Sequence, residues 1–231
     1  MDAIAGLDWK SLSASIDDLG YALTPPILTP ADCAALAGMY EDDRRFRSTV
    51  NMARHGFGKG QYRYFAYPLP PLVAGLRTAL YRSLAPIANL WAERLRQPDI
   101  WPAEHEALIA RCHAFGQARP TPLLLSYREG DYNCLHQDLY GPIHFPLQAI
   151  AMLSGPDDFE GGALTLVETC PRMQSRVEVV PIRQGQIALV PVRDRPRQSA
   201  NGWSRATVRH GVSTVSRGRR QTLGIIFHDA A

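Results

Sequence analysis

Two histidines and one aspartate form the group in the sequence with the clearest chemical potential. His136 and Asp138 are separated by one residue, so on an extended chain their side chains project from the same face. His210 lies between Val208 and Val212 in a later strand-like run and is the best candidate for a third ligand. Two imidazoles and one carboxylate can hold one side of a metal ion and leave other positions open for reactants. The pattern therefore predicts a metal centre at these three residues.

A tripeptide of the type His-x-Asp is common by chance, so the metal-centre prediction needs support from a further residue. Arg220 gives that support. It lies ten residues after His210, at the start of a run that continues through Leu223-Gly224-Ile225-Ile226-Phe227. A guanidinium on such an apolar strand needs a partner. A bound dicarboxylate is suitable, since a guanidinium clamps a carboxylate through two parallel hydrogen bonds. Thr222 shares the face of Arg220 and offers a hydroxyl; the alternative is a solvent-exposed arginine on an edge strand.

These positions resemble the pattern of the iron(II)- and 2-oxoglutarate-dependent dioxygenase superfamily, which has His-x-Asp, a distal His and an Arg about ten residues later. From about residue 126 to the C-terminus, the chain also resembles a bacterial oxygenase family described as acting on alkylated nucleic acids. Two residues depart from that pattern and are expected near the pocket: Cys170, where we expect arginine, and His144, where we expect an apolar residue. The matching segments are Gly130–Asn133, Leu135–Gly141, Phe145–Gln148, Asp158–Gly162, Arg209–Ser213 and Gly224–Ala230.

The resemblance implies a fold, cofactors and residue roles. The fold is a double-stranded β-helix of eight strands, and the three ligands hold Fe(II). The co-substrate 2-oxoglutarate chelates the iron, Arg220 grips its distal carboxylate, and O2 takes the last open position. Tyr127 and Thr222 are candidate hydrogen-bond donors to the co-substrate, with a core tyrosine as the alternative role for Tyr127. The implied reaction hydroxylates a substrate and releases succinate and CO2.

The sequence leaves two classes of substrate open. By resemblance, an N-alkylated base would lose its hydroxylated methyl group as formaldehyde, which makes single-stranded or damaged nucleic acid the expected partner. Such a base must be unpaired or flipped and needs a stacking surface. A hydroxylase of a small molecule or a prolyl residue would use the same iron centre, whereas a non-catalytic metal-binding β-barrel would not need Arg220. The stacking candidates are Tyr62, Tyr64 and Trp203, and the phosphate-binding candidates are Arg205, Arg209 and Arg217.

Composition narrows the class of protein. The chain has 231 residues, of which 45% are hydrophobic and 20% charged, so it is too apolar for a disordered protein. It has no apolar stretch of the roughly 20 residues that a membrane helix needs, and its start does not resemble a secretory signal, so we expect a cytoplasmic protein. The four cysteines form no Cys-x-x-Cys pair, which argues against a zinc knuckle. The net charge of +3 permits nucleic-acid binding without requiring it.

The pattern of helices and strands that must position these residues predicts an α+β protein. Thr29 and Pro30 are typical of a capped helix start, and helices are expected to about Tyr40, from Pro71 to about Leu95 and from Ala103 to Cys112. We expect these helices to buttress one sheet of a jelly-roll core. The eight predicted strands are Pro122–Arg128, Asn133–Leu139, Phe145–Leu153, Ala163–Glu168, Arg176–Val180, Gln186–Val190, Ala206–Ser213 and Arg220–His228.

Two regions of one compact domain follow from this assignment. Residues 1–118 form a mainly helical N-terminal region, and residues 119–231 form the double-stranded β-helix core. Within the first region, residues 56–68 combine glycines with alternating aromatics, which is typical of a substrate lid or of a surface hairpin. The polar segment 193–201 is expected to form a long loop near the site.

Overall fold

The computed structural model describes residues 2–98, 100–199 and 202–231. Thr29 caps the third helix as predicted, since its hydroxyl accepts a hydrogen bond from the Asp32 amide while the Asp32 carboxylate bonds back to Thr29. Among the described residues, no helix is both long and apolar enough to cross a membrane. The helices are α1 (Asp2–Ala5), α2 (Trp9–Leu19), α3 (Pro30–Gly38), α4 (Pro71–Arg94) and α5 (His105–Ala114).

The strands form two antiparallel sheets. The strands are β1 (Ala22–Leu23), β2 (Phe46–Asn51), β3 (Gly58–Lys59), β4 (Gln61–Phe65), β5 (Leu123–Arg128), β6 (Tyr132–His136), β7 (Leu147–Met152), β8 (Phe159–Gly161), β9 (Leu164–Thr169), β10 (Arg176–Val180), β11 (Ile187–Pro191), β12 (Asp194–Ser199), β13 (Gly202–Val212) and β14 (Val215–Ile226). The larger sheet has the order β1-β11-β7-β14-β5-β4-β2, with β8 beside β14, and the smaller has the order β10-β9-β13-β6-β3, with β12 beside β13.

The long strand β14 explains how the layers are arranged. Side chains alternate between the two faces of a strand. Leu223 and Ile225 belong to the main hydrophobic core, where they meet apolar residues of the helices, including Leu76 and Leu80 of α4. Thr222 points the other way, into a cavity between the two sheets. The N-terminal helices therefore cover the outer face of the larger sheet, and the fold is the predicted double-stranded β-helix.

Each of the eight predicted strands has a counterpart, and two further strands occur in the same region. β8 was not predicted, and the expected loop at 193–201 is wrong for most of its length because Asp194–Ser199 forms β12. Its polar residues become a strand because all six pair with β13, so tertiary pairing outweighs weak strand propensity. Of the rest of that segment, Arg193 lies outside the strand as expected, and residues 200 and 201 lie outside the described residues.

The candidate lid at residues 56–68 includes a strand of the larger sheet. β4 pairs with β2 on one side and with β5 on the other, and Tyr64 and Phe65 are buried. The segment before it, with Gly56 and Phe57, lies at the cavity. Opening of this shorter segment stays a prediction, as does the division of the chain at residue 118.

Candidate metal centre and co-substrate pocket

A cavity of about 410 Å³ lies between the two sheets. β5, β7 and β14 supply its larger-sheet wall, and β6, β9 and β13 supply the opposite wall. Most of its lining is aliphatic or aromatic, with a few polar groups among the apolar ones, which is the usual composition of a small-molecule site. The polar lining residues include His136, Asp138, His210, Gln148, Tyr127, Arg220 and Thr222.

The three predicted ligands converge in this cavity. Each offers one ligand atom, and these atoms all lie within 4.8 Å of one another. Nε2 of His210 is 3.3 Å from Oδ2 of Asp138, and Nε2 of His136 is 3.7 Å from Oδ1 of the same carboxylate. β6 ends at His136, so Asp138 lies just beyond the strand that was expected to carry both residues. His210 lies opposite His136 in the pairing of β13 with β6.

Hydrogen bonds orient the ligands. Nδ1 of His136 lies 2.8 Å from the carbonyl oxygen of Cys134, so a proton on Nδ1 is donated there and Nε2 is left free to bind a metal. Burial and the neighbouring His210 lower the pKa of His136, which favours the neutral imidazole that a metal requires. The amide nitrogen of Gln148 lies 3.3 Å from Nε2 of His210.

Two tyrosines support the carboxylate ligand. The hydroxyl of Tyr140 donates to Oδ1 of Asp138 at 2.7 Å, and the hydroxyl of Tyr64 donates to Tyr140 at 2.9 Å. Burial alone would raise the pKa of Asp138, but the hydrogen bond and charge of His210, with the other two neighbours His136 and Tyr140, lower it well below its usual range. The group is therefore an anion, ready to bind a cation.

Arg220 lies at the deep end of the cavity with no protein partner for two of its nitrogens. It is 1% exposed, and neither Nε nor Nη1 has a hydrogen-bond partner among the described residues. Burial lowers its pKa to about 10, so it remains charged at neutral pH. Buried cations are normally paired. An unpaired guanidinium in a cavity fits a ligand carboxylate, and the buried hydroxyl groups of Tyr127 and Thr222 also line this cavity.

Two glycines leave room for this arrangement. At Gly162 φ is +58°, and an added Cβ would lie 2.9 Å from Cδ of Arg220. At Gly224 an added Cβ would lie 2.6 Å from Cδ2 of Leu123, in the cavity wall. Side chains at these positions would therefore displace Arg220 or the wall.

The predicted stacking residues have different positions. Tyr62 lines the cavity. Tyr64 is buried behind it and bonds to Tyr140. Trp203 does not line it, because its ring packs under the guanidinium of Arg94 on α4, with 3.9 Å between the guanidinium carbon and the ring centroid. The prediction that Trp203 stacks a base at the site is therefore wrong in geometry.

Two of the predicted phosphate-binding arginines have carboxylate partners. Arg205 lies 3.2 Å from Asp194, and Arg217 lies 2.7 Å from Glu160. Arg209 is exposed, next to His210 in sequence. None of the three lines the cavity.

Neither residue that departs from the family pattern lines the cavity, contrary to expectation. Cys170 follows β9 and accepts a hydrogen bond from Arg197 at 3.1 Å. His144 lines a separate small cavity together with Trp91 and Trp101 of the helical region.

Sequence reasoning missed Tyr140, Gln148 and the contribution of Phe57 to the cavity. Tyr140 follows Asp138 by two residues, so the same spacing argument that paired His136 with Asp138 would have identified it. Gln148 gave no such signal, because its contact with His210 depends on how β7 faces β13 across the cavity.

The model of a protein family matches residues 60–230, and its description is "Oxygenase, catalysing oxidative methylation of damaged DNA". The chain belongs to this oxygenase family. The oxygenase is thus an enzyme whose fold and ligand group are those of the 2-oxoglutarate-dependent non-haem iron dioxygenases, which use Fe(II), 2-oxoglutarate and O2.

The chain is also similar to two proteins of known sequence and to solved structures. Two uncharacterized proteins of Mycobacterium tuberculosis, one from each of two strains, are 46% identical over 168 residues, which is 72% of this chain and 72% of theirs. An oxidoreductase of the 2OG-Fe(II) oxygenase family from Burkholderia pseudomallei superposes with a TM-score of 0.59 at 13% identity, covering 98% of this chain and 94% of that one. A prolyl-4-hydroxylase of Pseudomonas putida gives 0.54 at 13% identity, with 96% and 99% covered. At such identities these two structures show the fold alone.

Proposed function

We propose that this dioxygenase hydroxylates the N-methyl group of an alkylated nucleic-acid base and so removes it. The observation that carries the proposed site chemistry is the buried guanidinium of Arg220, whose Nε and Nη1 have no hydrogen-bond partner among the described residues, in the cavity that also holds the three candidate ligands. A dicarboxylate spanning the cavity would bind the metal at one end and satisfy Arg220 at the other. The base as substrate is supported by the description of the family.

The residues of the chain have separate tasks in this proposal. His136, Asp138 and His210 hold the iron, which with 2-oxoglutarate and O2 supplies the oxidant that inserts one oxygen atom into a C–H bond. Arg220 binds the distal carboxylate of the co-substrate. Tyr127 accepts a hydrogen bond from the side-chain amide of Asn133 at 3.2 Å, so its own hydroxyl proton is available to the co-substrate. The apolar lining excludes water from the reacting groups.

The balance of the reaction is simple. The methyl C–H bond is oxidised to C–OH while 2-oxoglutarate and O2 are converted to succinate and CO2. The resulting N–CH2–OH group then breaks its C–N bond: the hydroxyl proton passes to the ring nitrogen, and formaldehyde leaves. Such an enzyme would serve in DNA repair. We also propose a cytoplasmic location, in keeping with the four free cysteines, since reducing compartments keep thiols unpaired.

A hydroxylase of a small molecule or a prolyl residue is the second candidate. It is favoured by the apolar cavity lining and by the carboxylate partners of Arg205 and Arg217, which leave less positive charge for a phosphate backbone.

Anaerobic titration with Fe(II) and 2-oxoglutarate tests the metal centre and co-substrate site. We expect a visible charge-transfer band that is lost in His136→Ala and in His210→Ala. Arg82→Ala, an exposed change on α4, is the matched control and should retain the band. A wild-type protein without the band would contradict the proposed chemistry.

Substrate identity needs a second measurement. N-methylated single-stranded oligonucleotides should cause succinate release together with formaldehyde. Succinate release that occurs only with small molecules or prolyl peptides would instead support the second candidate.

A further inference from the structure

The mouth of the cavity can be located from exposure. Four of its lining residues are exposed, and they fall in two short segments, Gly56–Phe57 and Cys134–Leu135. Arg220 and Tyr127, in contrast, are at most 1% exposed. The two segments are neighbours joined by a backbone hydrogen bond, so together they form one side of the open end, and a substrate must pass beside them to reach the ligands.

An exposed aromatic pair lies at this mouth. The rings of His55 and Phe57 are stacked, with centroids 5.3 Å apart and an angle of 22° between their planes. Phe57 is 48% exposed although it is a large apolar residue. The chain reverses at Gly56, where φ is +69°, and this turn brings the two rings together. Phe57 lines the cavity, and the exposed ring of His55 is stacked on it, so the two form an aromatic surface at the mouth, which we call the His55–Phe57 platform.

Backbone hydrogen bonds connect the platform to the candidate ligand His136. The amide of Cys134 donates to the carbonyl of Phe57 at 2.9 Å, and the carbonyl of Cys134 lies 2.8 Å from Nδ1 of His136. Beside them, β3 pairs with β6. At Gly58 φ is +127°, and a Cβ would lie 2.4 Å from the carbonyl oxygen of Tyr132, so this close pairing requires glycine. The platform and the ligand His136 are thus coupled through one residue.

Two exposed leucines lie beside the segment that carries His136 and Asp138. Leu135 and Leu139 are 44% and 38% exposed and flank the ligand segment, and Tyr62 continues the aromatic surface into the cavity. Aromatic faces bind planar rings without regard to the sequence of bases. The arginines Arg205 and Arg217 are paired with carboxylates, which leaves less positive charge for phosphate contacts. Exposed apolar surface of this kind is typical of a binding site.

We propose that the His55–Phe57 platform binds the planar, unsaturated ring of the substrate, one ring at a time, and thereby positions its methyl group at the metal. This proposal rests on the proposed oxygenase function and deepens it, because recognition then depends on the ring rather than on a nucleic-acid backbone. An N-methylated nucleoside is accordingly a ligand in its own right.

The test compares the binding of an N-methylated adenine nucleoside, measured by anaerobic calorimetry on the protein loaded with Fe(II) and 2-oxoglutarate. Because stacking of one base contributes about 1–3 kcal/mol, the dissociation constant of the nucleoside should rise about 5- to 150-fold in Phe57→Ala. Phe57→Trp should restore the affinity, and its fluorescence should change on binding. Trp203→Ala removes another exposed aromatic, 39% exposed against 48% for Phe57, that does not line the cavity, so it should bind as the wild type does.

The outcomes separate the two proposals. The charge-transfer band should be the same in Phe57→Ala and the wild type, which also shows that the variant folds. If the band forms but the wild type does not bind the nucleoside, or if Phe57→Ala binds it equally well, the platform proposal is wrong while the oxygenase chemistry stands. An oligonucleotide could instead bind only at low salt, with the logarithm of its binding constant falling against the logarithm of salt concentration with a slope steeper than about −4. That result would show recognition of the phosphate backbone and would contradict ring recognition. If the wild type lacks the band, the oxygenase proposal fails and the platform proposal fails with it.

Discussion

Arg220→Met removes a buried guanidinium whose Nε and Nη1 have no acceptor among the described residues. A buried unsatisfied donor costs about 1–3 kcal/mol, and replacing a buried charged group by an apolar one of similar volume is often neutral or stabilising. If the free energy of unfolding rises by about 1–2 kcal/mol, the variant without 2-oxoglutarate should unfold roughly 2–8 °C above the wild type. The measurement is scanning calorimetry of both proteins with metal but without co-substrate.

Addition of 2-oxoglutarate should reverse the order. At a ligand concentration of about 100 times Kd, binding stabilises the wild type by about 2.7 kcal/mol, or roughly 5–11 °C. The variant lacks the charged partner of the distal carboxylate, a loss of about 2–5 kcal/mol that raises Kd by roughly 30-fold to several thousand-fold. The same concentration should therefore raise its unfolding temperature by at most about 4 °C.

Arg195→Met is the matched control. Arg195 is also 1% exposed, but its Nε donates to Glu168 at 2.6 Å and its Nη1 donates to the carbonyl of Asp17 at 2.6 Å. Removing one partner of a buried ion pair costs about 3–5 kcal/mol, so this variant should unfold roughly 6–20 °C below the wild type. If Arg220→Met loses as much stability as the control, Arg220 has a protein partner; if its 2-oxoglutarate shift persists, Arg220 does not bind the co-substrate.

Three further predictions concern other parts of the molecule. Tyr140→Phe removes the hydroxyl that donates to Asp138, so the Fe(II) dissociation constant in an anaerobic titration should rise about 10-fold. Gly162→Ala should displace Arg220 and weaken 2-oxoglutarate binding in calorimetry while leaving the metal affinity unchanged. Burial lowers the pKa of His105 from 6.5 to about 4, so the unfolded chain binds more protons than the folded protein between these values. The free energy of unfolding in urea should consequently fall by roughly 2 kcal/mol from this group between pH 7 and pH 5, and less in His105→Gln.

Each of these three predictions would be contradicted by a specific result. An unchanged iron affinity in Tyr140→Phe would show that the tyrosine does not orient the carboxylate. Wild-type 2-oxoglutarate binding by Gly162→Ala would show that Arg220 tolerates the added methyl group. Identical pH dependence in His105→Gln and the wild type would assign the loss of stability to other groups, such as His228, whose pKa burial lowers to about 3.

The sequence predicted that the three candidate ligands and Arg220 share one site because strand geometry makes short spacings informative. His136 and Asp138 needed only the alternation of side chains, and Arg220 needed only the cost of burying a charge. The helices were equally accessible, because Thr29 and Pro30 mark a helix start in local sequence.

The missed features depend on pairing between distant strands. β4 carries aromatics typical of a flap, yet it lies inside the larger sheet because β2 and β5 pair with both of its edges. Trp203 was assigned to the site from its residue type alone, whereas the end of β13 that carries it packs against Arg94 of α4. No local pattern contains the register that decides such contacts.

The alternation along β14 has a consequence for engineering. One face of this strand lines the cavity between the sheets, and the other, through Leu223 and Ile225, is packed under the helices. Four strands that precede residue 119, β1 to β4, also complete the two sheets. A fragment starting at residue 119 would expose that apolar face to water and lose those strands, so we expect it to aggregate rather than bind a metal. Catalysis and folding in this chain are thus inseparable by truncation.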